Sequence, residues 1–134
     1  MIDIIGVEHM AIAVNDFQDT RNFFEEILGL KISNSETIED QGVITDIYNI
    51  KNGKVEFIKP LGKDSKIIKF LKKRGPGLHH ICFQVKCIKD SIKYLKENDI
   101  KLIGDEYSIG AEGYKVIFIH PKSTGGILIE LAEK

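Results

Sequence analysis

Hydrophobic and polar positions along the chain predict one order of elements twice: a strand, a helix and three strands. In the first copy, alternation over residues 6 to 14 predicts a strand, and polar residues 15 to 19 offer capping groups for a helix. That helix ends at Gly29, and its apolar positions recur at helical spacing: Phe23, Phe24, Ile27 and Leu28. Three further strands are predicted at 30 to 33, 42 to 50 and 54 to 58. An Asn52-Gly53 turn joins the last two.

The second copy repeats this order. Its strand covers residues 78 to 85 and its helix 88 to 98, and its remaining strands are predicted at 100 to 104, 114 to 119 and 126 to 132. The segment between the copies carries its own short apolar helix, for which we expect Asp64 or Ser65 to be the N-cap. These patterns predict one domain, 1–134, with module 1 at 5–60, a connecting helix segment at 61–77 and module 2 at 78–134.

The two copies also match residue by residue. Aligned without a gap, Val14 falls on Val85, Asp19 on Asp90, and His9 on His80. Near the ends of the copies, Lys54-Val55-Glu56-Phe57-Ile58 resembles Leu128-Ile129-Glu130-Leu131-Ala132. A duplication of this kind provides two histidines and two glutamates at equivalent places.

Alternation along the strands gives these four residues a direction. His9 shares a face with Ala11, and we expect Met10 to lie on the opposite, core-packing face. Glu56 and Glu130 are each flanked by apolar residues, where an unpartnered carboxylate is costly to ionise. Binding of a divalent metal by both histidines and both glutamates would offset that cost. The alternatives are hydrogen-bonded structural histidines and glutamates on a solvated sheet face.

Other candidate residues have weaker support. His79 alternates onto the core-packing face, His120 lies in a turn before Pro121, and Cys82 is either a cavity residue beside His80 or a small core residue. One basic run could touch phosphates or form a solvated helix face, and it consists of Lys69, Lys72, Lys73 and Arg74.

Composition narrows the function classes. The chain has 134 residues, of which 43% are hydrophobic and 29% charged, and its net charge is −1. This charge gives no general attraction for nucleic acid, and the apolar runs are too short to span a membrane, so we expect neither partner. Two cysteines provide no disulfide framework, which favours a reducing compartment and a cytoplasmic location.

Several segments carry a resemblance to a known family. They are residues 9 to 14, 40 to 43, 70 to 81, 110 to 113 and 118 to 131. The specific ones are Gly77-Leu78-His79-His80 and His120-Pro121-Lys122, the latter followed by Gly125-Gly126 and Glu130-Leu131. On these motifs the chain resembles the vicinal oxygen chelate superfamily and, within it, the methylmalonyl-CoA epimerases.

This resemblance implies an α+β fold of two tandem βαβββ modules that form an open, barrel-like, metal-lined cleft. By position it makes the metal ligands His9, Glu56, His80 and Glu130. It implies a divalent ion, for which we expect Co²⁺ with Ni²⁺, Mn²⁺ or Zn²⁺ as alternatives, a small-molecule thioester substrate and a homodimer. We expect epimerisation of methylmalonyl-CoA, with Glu130 as the acid–base group on one face of the substrate and Glu56 on the other.

The chain departs from the family pattern at two places. Where some epimerases have a catalytic Glu, two residues after Gly42-Val43, this chain has Thr45, and the adjacent Asp46 alternates to the other face. The family's Gly-Ala-His-Gly turn has Glu112 in place of the His. The first departure leaves the second base open.

Three alternative functions remain at this point. Two His and two Glu also resemble the ligand set of bacterial glyoxalase I, which moves a proton in a glutathione hemithioacetal. The superfamily also includes non-catalytic binding proteins, although these tend to lack the complete set. An iron dioxygenase needs only two His and one carboxylate, so a fourth protein ligand disfavours it.

Overall fold

The computed structural model describes residues 1 to 134 and contains eight strands and three main helical segments. The strands are β1 (Ile4–Ala13), β2 (Ile32–Ile38), β3 (Val43–Ile50), β4 (Gly53–Pro60), β5 (Gly77–Val85), β6 (Leu102–Ile109), β7 (Lys115–Ile119) and β8 (Ile129–Glu133). The helices are α1 (Gln18–Arg21, continuing as a π-helix over Asn22–Ile27), α2 (Ile67–Arg74) and α3 (Ile88–Glu97). Short 3₁₀ turns cover Glu39–Gln41, Ala111–Gly113 and Pro121–Ser123. The predicted α+β class and the repeated order of elements are confirmed.

Two compact units divide the chain. Unit 1 comprises Met1–His9 and His80–Lys134, and unit 2 comprises Met10–His79. Strand β1 contributes its first half to unit 1 and its second half to unit 2.

Unit 2 contains the strand order β2-β3-β4-β1, in which β2, β3 and β4 are antiparallel neighbours. The β3–β4 hairpin closes at the Ile50–Gly53 pair, where Gly53 has a φ of 147° that favours glycine. The core of unit 2 contains aromatic and aliphatic side chains from β3, β4 and the α1 region. Its buried members are Val14, Phe17, Tyr48 and Phe57.

Unit 1 contains the strand order β1-β5-β8-β7-β6. Strands β5 and β8 are parallel, whereas β7 is antiparallel to both β8 and β6. Helix α3 packs an amphipathic face on these strands, and the buried core residues are Val85, Ile88, Ile92, Leu95, Ile117, Ile119 and Leu131.

The helix starts differ from the prediction at α2. Neither Asp64 nor Ser65 caps it with a side chain, because Lys66 occupies the N-cap position and already has helical torsion angles of φ −62° and ψ −26°. At α1, by contrast, a polar residue of the predicted capping segment does contribute, since Asp16 Oδ1 accepts a hydrogen bond of 2.9 Å from Gln18 N.

The strand boundaries differ most at β2 and β6, which end the strand orders of the two units. Both run further than the predicted segments 30 to 33 and 100 to 104. Most of their residues are exposed, so backbone pairing with β3 and β7 defines them rather than an apolar face.

The face expected to pack the core is wrong for Met10. This side chain is 41% exposed, whereas Ala11 and Ala13, which share the face of His9, are fully buried. None of the helices has the length and apolar character needed to cross a membrane.

Candidate metal centre

Three of the four predicted ligands meet in unit 1. His9 lies on β1, His80 on β5 and Glu130 on β8, and each is about 5% exposed or less. Parallel pairing of β5 with β8 places Cys82 opposite Glu130, so His80, two residues earlier on the same face, lies close to the glutamate.

The donor atoms of these three residues converge on one point. His80 Nε2 lies 2.8 Å from Glu130 Oε2, and His9 Nε2 lies 3.2 Å from both His80 Nε2 and Glu130 Oε2. The two imidazole rings meet edge to face, with centroids 5.3 Å apart. Two buried ring nitrogens facing each other across 3.2 Å need a proton or a cation between them, since two lone pairs repel.

This donor set fits a divalent metal ion. Donors about 2.1 Å from one ion and at right angles to each other lie about 3 Å apart, which is the spacing of these three atoms. Imidazole and carboxylate donors suit Zn²⁺, Co²⁺, Ni²⁺ and Mn²⁺. His9, Cys82 and Glu130 also form a buried group whose ligand atoms lie within 4.8 Å of one another, so the sulfur borders the same centre.

Glu130 is held as a carboxylate. Burial of its carboxyl group raises the pKa, but hydrogen bonds from His80 and His9 and their positive charge outweigh burial and lower the pKa to about 2. The centre therefore offers a negatively charged oxygen at neutral pH, as a cation requires.

Two further charged residues adjoin His9. Glu8 is 4% exposed, and its Oε1 lies 3.1 Å from His9 Nδ1. The other oxygen of that carboxylate, Oε2, lies 3.2 Å from Lys134 Nζ. Sequence reasoning missed both residues, because strand alternation places Glu8 on the face opposite His9; the only signal was an acidic residue next to a candidate ligand.

The fourth predicted ligand, Glu56, lies on β4 in unit 2. Its side chain is 5% exposed, and it is the register partner of Ile47. The buried carboxylate agrees with the expectation that Glu56 does not lie on a solvated face.

Neither residue at the departure from the family pattern is an unoccupied base. Thr45 is buried, and its hydroxyl does not ionise near neutral pH. Asp46 is fully buried and accepts hydrogen bonds from Arg21 Nε at 2.8 Å, Arg21 Nη2 at 2.9 Å and Ser35 Oγ at 2.8 Å. The guanidinium and hydroxyl engage both of its oxygens, so Asp46 has a structural role in unit 2.

The remaining histidines lie outside the cluster of His9, His80 and Glu130. His79 packs edge to face on Phe70, with centroids 4.9 Å apart. His120 caps a 3₁₀ turn, where its Nδ1 accepts a hydrogen bond of 3.0 Å from Lys122 N.

Comparison with known proteins places the chain in a family. Residues 8–118 match the model of the glyoxalase/bleomycin resistance protein/dioxygenase superfamily. Human mitochondrial methylmalonyl-CoA epimerase is 41% identical over 128 residues, which are 95% of this chain and 73% of the human protein.

Solved structures agree. The crystal structure of methylmalonyl-CoA epimerase from Mycobacterium tuberculosis has a TM-score of 0.92 and 30% identity, covering 97% of this chain and 88% of that one. A variant of the Streptomyces coelicolor epimerase in complex with 2-nitronate-propionyl-CoA has a TM-score of 0.93 and 27% identity, covering 98% and 96%. The relatives do not favour the glyoxalase alternative. The chain belongs to the methylmalonyl-CoA epimerase family of the glyoxalase/bleomycin resistance protein/dioxygenase superfamily.

Proposed function

We propose that this protein is a metal-dependent isomerase that interconverts (R)- and (S)-methylmalonyl-CoA. The observation that carries the proposal is the buried convergence of His9, His80 and Glu130 in a chain 41% identical to a named epimerase. The substrate's reacting carbon lies between a thioester and a carboxylate, so its proton is weakly acidic and can leave to a positioned base.

The proposed ligands are His9, His80 and Glu130, with Glu56 as the fourth. Support for Glu56 comes from its repeat equivalence to Glu130 and from its burial. We propose Co²⁺ as the ion, with Ni²⁺, Mn²⁺ or Zn²⁺ as competitors for the same donors. When bound, the metal supplies positive charge that stabilises the negative charge developing on the thioester oxygen.

The chain's own residues perform the proton transfer in this proposal. Glu130 is ionised at neutral pH and therefore able to accept a proton, although its low pKa makes it a weak base while both histidines contact it. A bound cation would likewise favour the ionised form, so Glu130 would become a stronger base only on leaving the cation and the histidine contacts. We propose that Glu130 removes the proton on one face and that Glu56 serves the other.

Burial of the ligand residues supports this chemistry in a second way. With side chains that are 5% exposed or less, His9, His80 and Glu130 have little contact with bulk water. Electrostatic interactions are stronger in such surroundings, and the carbanionic charge is protected from random protonation.

Deuterium incorporation tests the function directly. Purified protein loaded with Co²⁺ is incubated in heavy water either with methylmalonyl-CoA or with the glutathione hemithioacetal of methylglyoxal. We expect deuterium at C2 of methylmalonyl-CoA and no lactoylglutathione. Formation of lactoylglutathione without exchange in methylmalonyl-CoA would contradict the proposal.

We further propose a cytoplasmic homodimer. Support for a dimer comes from large apolar side chains exposed on the first half of β1, among them Ile5 at 60% and Val7 at 53%. Support for the reducing compartment comes from the two free cysteines, Cys82 and Cys87. Light scattering after size exclusion should give the mass of two chains, and a monomer mass would contradict the dimer.

A further inference from the structure

We propose that Glu8 is a positioning residue for the metal centre, and that Lys134 holds Glu8 in place. Glu8 would act through His9, by fixing which ring nitrogen of that ligand carries a proton and where the ring points. This inference rests on the proposed metal centre and adds to it two residues outside the predicted ligand set.

The geometry at His9 uses both ring nitrogens. Nδ1 faces Glu8 Oε1 at 3.1 Å, and Nε2 faces His80 Nε2 and Glu130 Oε2 at 3.2 Å. An ionised carboxylate accepts hydrogen bonds and donates none, so the Nδ1 atom that faces it must carry the proton. A cation at Nε2 would then replace only the proton that this nitrogen donates to Glu130, and Nδ1 would stay protonated. A carboxylate behind a ligating histidine orients the ring and raises its basicity in this way.

Burial makes the charge of the Glu8 carboxylate costly unless a positive charge compensates it. Glu8 is 4% exposed, and an isolated carboxylate at such a position would be strongly unfavourable. Lys134 supplies the compensating charge through its contact of 3.2 Å with Oε2. Its ammonium also lies over the ring of Tyr114, 5.4 Å from the centroid, which restrains the lysine from a second side. The chain of contacts thus runs from Tyr114 through Lys134 and Glu8 to His9.

The sequence repeat breaks at this position. The residue equivalent to Glu8 is His79, which packs against Phe70. The second copy therefore does not duplicate this carboxylate, and the ring of His80 packs edge to face on Phe118 with centroids 5.2 Å apart. We infer that the two histidine ligands are not interchangeable, and that His9 is the one whose orientation depends on a charged neighbour.

Two other roles for Glu8 make different predictions. As a direct metal ligand, Glu8 would change the coordination of the bound ion when replaced. As a purely structural residue, it would affect folding stability and leave metal affinity unchanged. A third role would be long-range electrostatic attraction between Glu8 and the cation, without any effect on His9. In that case, removal of the positive charge of Lys134 would strengthen metal binding.

The test combines three variants, Glu8→Leu, Lys134→Gln and the control Lys115→Gln. Lys115 is a matched control because it also pairs with a strand glutamate of unit 1, Glu133, at 2.8 Å. The dissociation constant for Co²⁺ is measured by competition with a chelating dye, and the visible absorption of the Co²⁺-saturated protein reports the ligand set. Thermal unfolding is recorded for each variant without metal.

We expect Glu8→Leu to weaken Co²⁺ binding by about 10- to 100-fold while the spectrum of the saturated protein keeps its shape. Lys134→Gln should also weaken Co²⁺ binding, and Lys115→Gln should leave the dissociation constant unchanged. An unchanged dissociation constant in Glu8→Leu, a changed saturated spectrum, or tighter binding in Lys134→Gln would each overturn the inference.

A second measurement does not depend on metal. Ring ¹⁵N shifts of His9 in the metal-free protein should report a proton on Nδ1, and Glu8→Leu should shift that resonance; an Nδ1 without a proton overturns the inference. Failure of the proposed function looks different. A wild-type protein that binds no Co²⁺ contradicts the metal centre, and one that binds Co²⁺ without exchanging the proton of methylmalonyl-CoA contradicts the substrate alone.

Discussion

His80 Nε2 lies 2.8 Å from Glu130 Oε2, and both side chains are almost completely buried. This contact joins a residue of β5 to one of β8, two strands that pair in parallel. A buried carboxylate so close to an imidazole is a ligand pair for a cation and, once the contact is loosened, a base.

Glu130→Gln should abolish turnover and keep part of the metal affinity. The amide retains the oxygen and the shape of the side chain but cannot accept the substrate proton, so we expect kcat to fall by about 10²- to 10⁴-fold. Deuterium exchange and metal content are measured on the same sample. Glu133→Gln, a change on the same strand outside the cluster of His9, His80 and Glu130, should keep its turnover. A metal-loaded, active Glu130→Gln enzyme would show that another residue is the base.

Asp46→Asn should destabilise unit 2 without removing activity. The substitution takes away the charge that pairs with Arg21, whose side chain is 45% exposed, so solvent screens part of the loss and we expect about 1–3 kcal/mol. Urea unfolding gives the free energy, and turnover is measured well below the midpoint. The control is Asp105→Asn on an exposed part of β6, which should leave the free energy of unfolding nearly unchanged. Loss of turnover at unchanged stability would assign Asp46 to catalysis.

Cys82 and Cys87 should differ sharply in thiol reactivity. Cys82 is fully buried, and burial raises its pKa to about 12 despite a hydrogen bond with His9, so little thiolate exists at about pH 8. Cys87 is partly exposed. Mass spectrometry after timed iodoacetamide treatment should therefore find Cys87 alkylated first. In urea the two rates should converge; equal rates in the folded protein would contradict the burial of Cys82.

Glu133 should stabilise the fold only at pH values at which its carboxyl group is ionised. Its pKa is lowered, first by the hydrogen bond from Ile88 N at the start of α3 and then by Lys115. A lowered pKa in the folded state means that the stabilisation is present above the unfolded value, near 4.5, and is lost as the pH falls through the folded value. The difference in unfolding free energy between wild type and Glu133→Gln should shrink from pH 7 to pH 3. A difference independent of pH would contradict the assignment.

Much of the fold could be predicted from the chain alone, because most strands and α3 have one apolar face and the repeat supplies each element twice. The edges could not. β2 and β6 are largely exposed, and pairing with a neighbour defines them, so residues such as Ile38 and Ile109 lie beyond any local alternation.

The candidate site was predictable in residue type and less so in arrangement. The repeat identified His9, His80, Glu56 and Glu130, but their separations depend on which strands become neighbours. Parallel pairing of β5 with β8 decides the approach of His80 to Glu130. Glu8 could not be found by alternation, which places it on the face opposite His9, although both side chains are buried.

Deuterium exchange at C2 of methylmalonyl-CoA, followed by NMR before and after removal of metal, is the direct test of metal-dependent epimerisation. We expect rapid exchange with the Co²⁺-loaded protein, loss of exchange after treatment with EDTA and recovery when Co²⁺ is added back. Exchange that persists at full rate in metal-free protein, or that never occurs in the loaded protein, would contradict it.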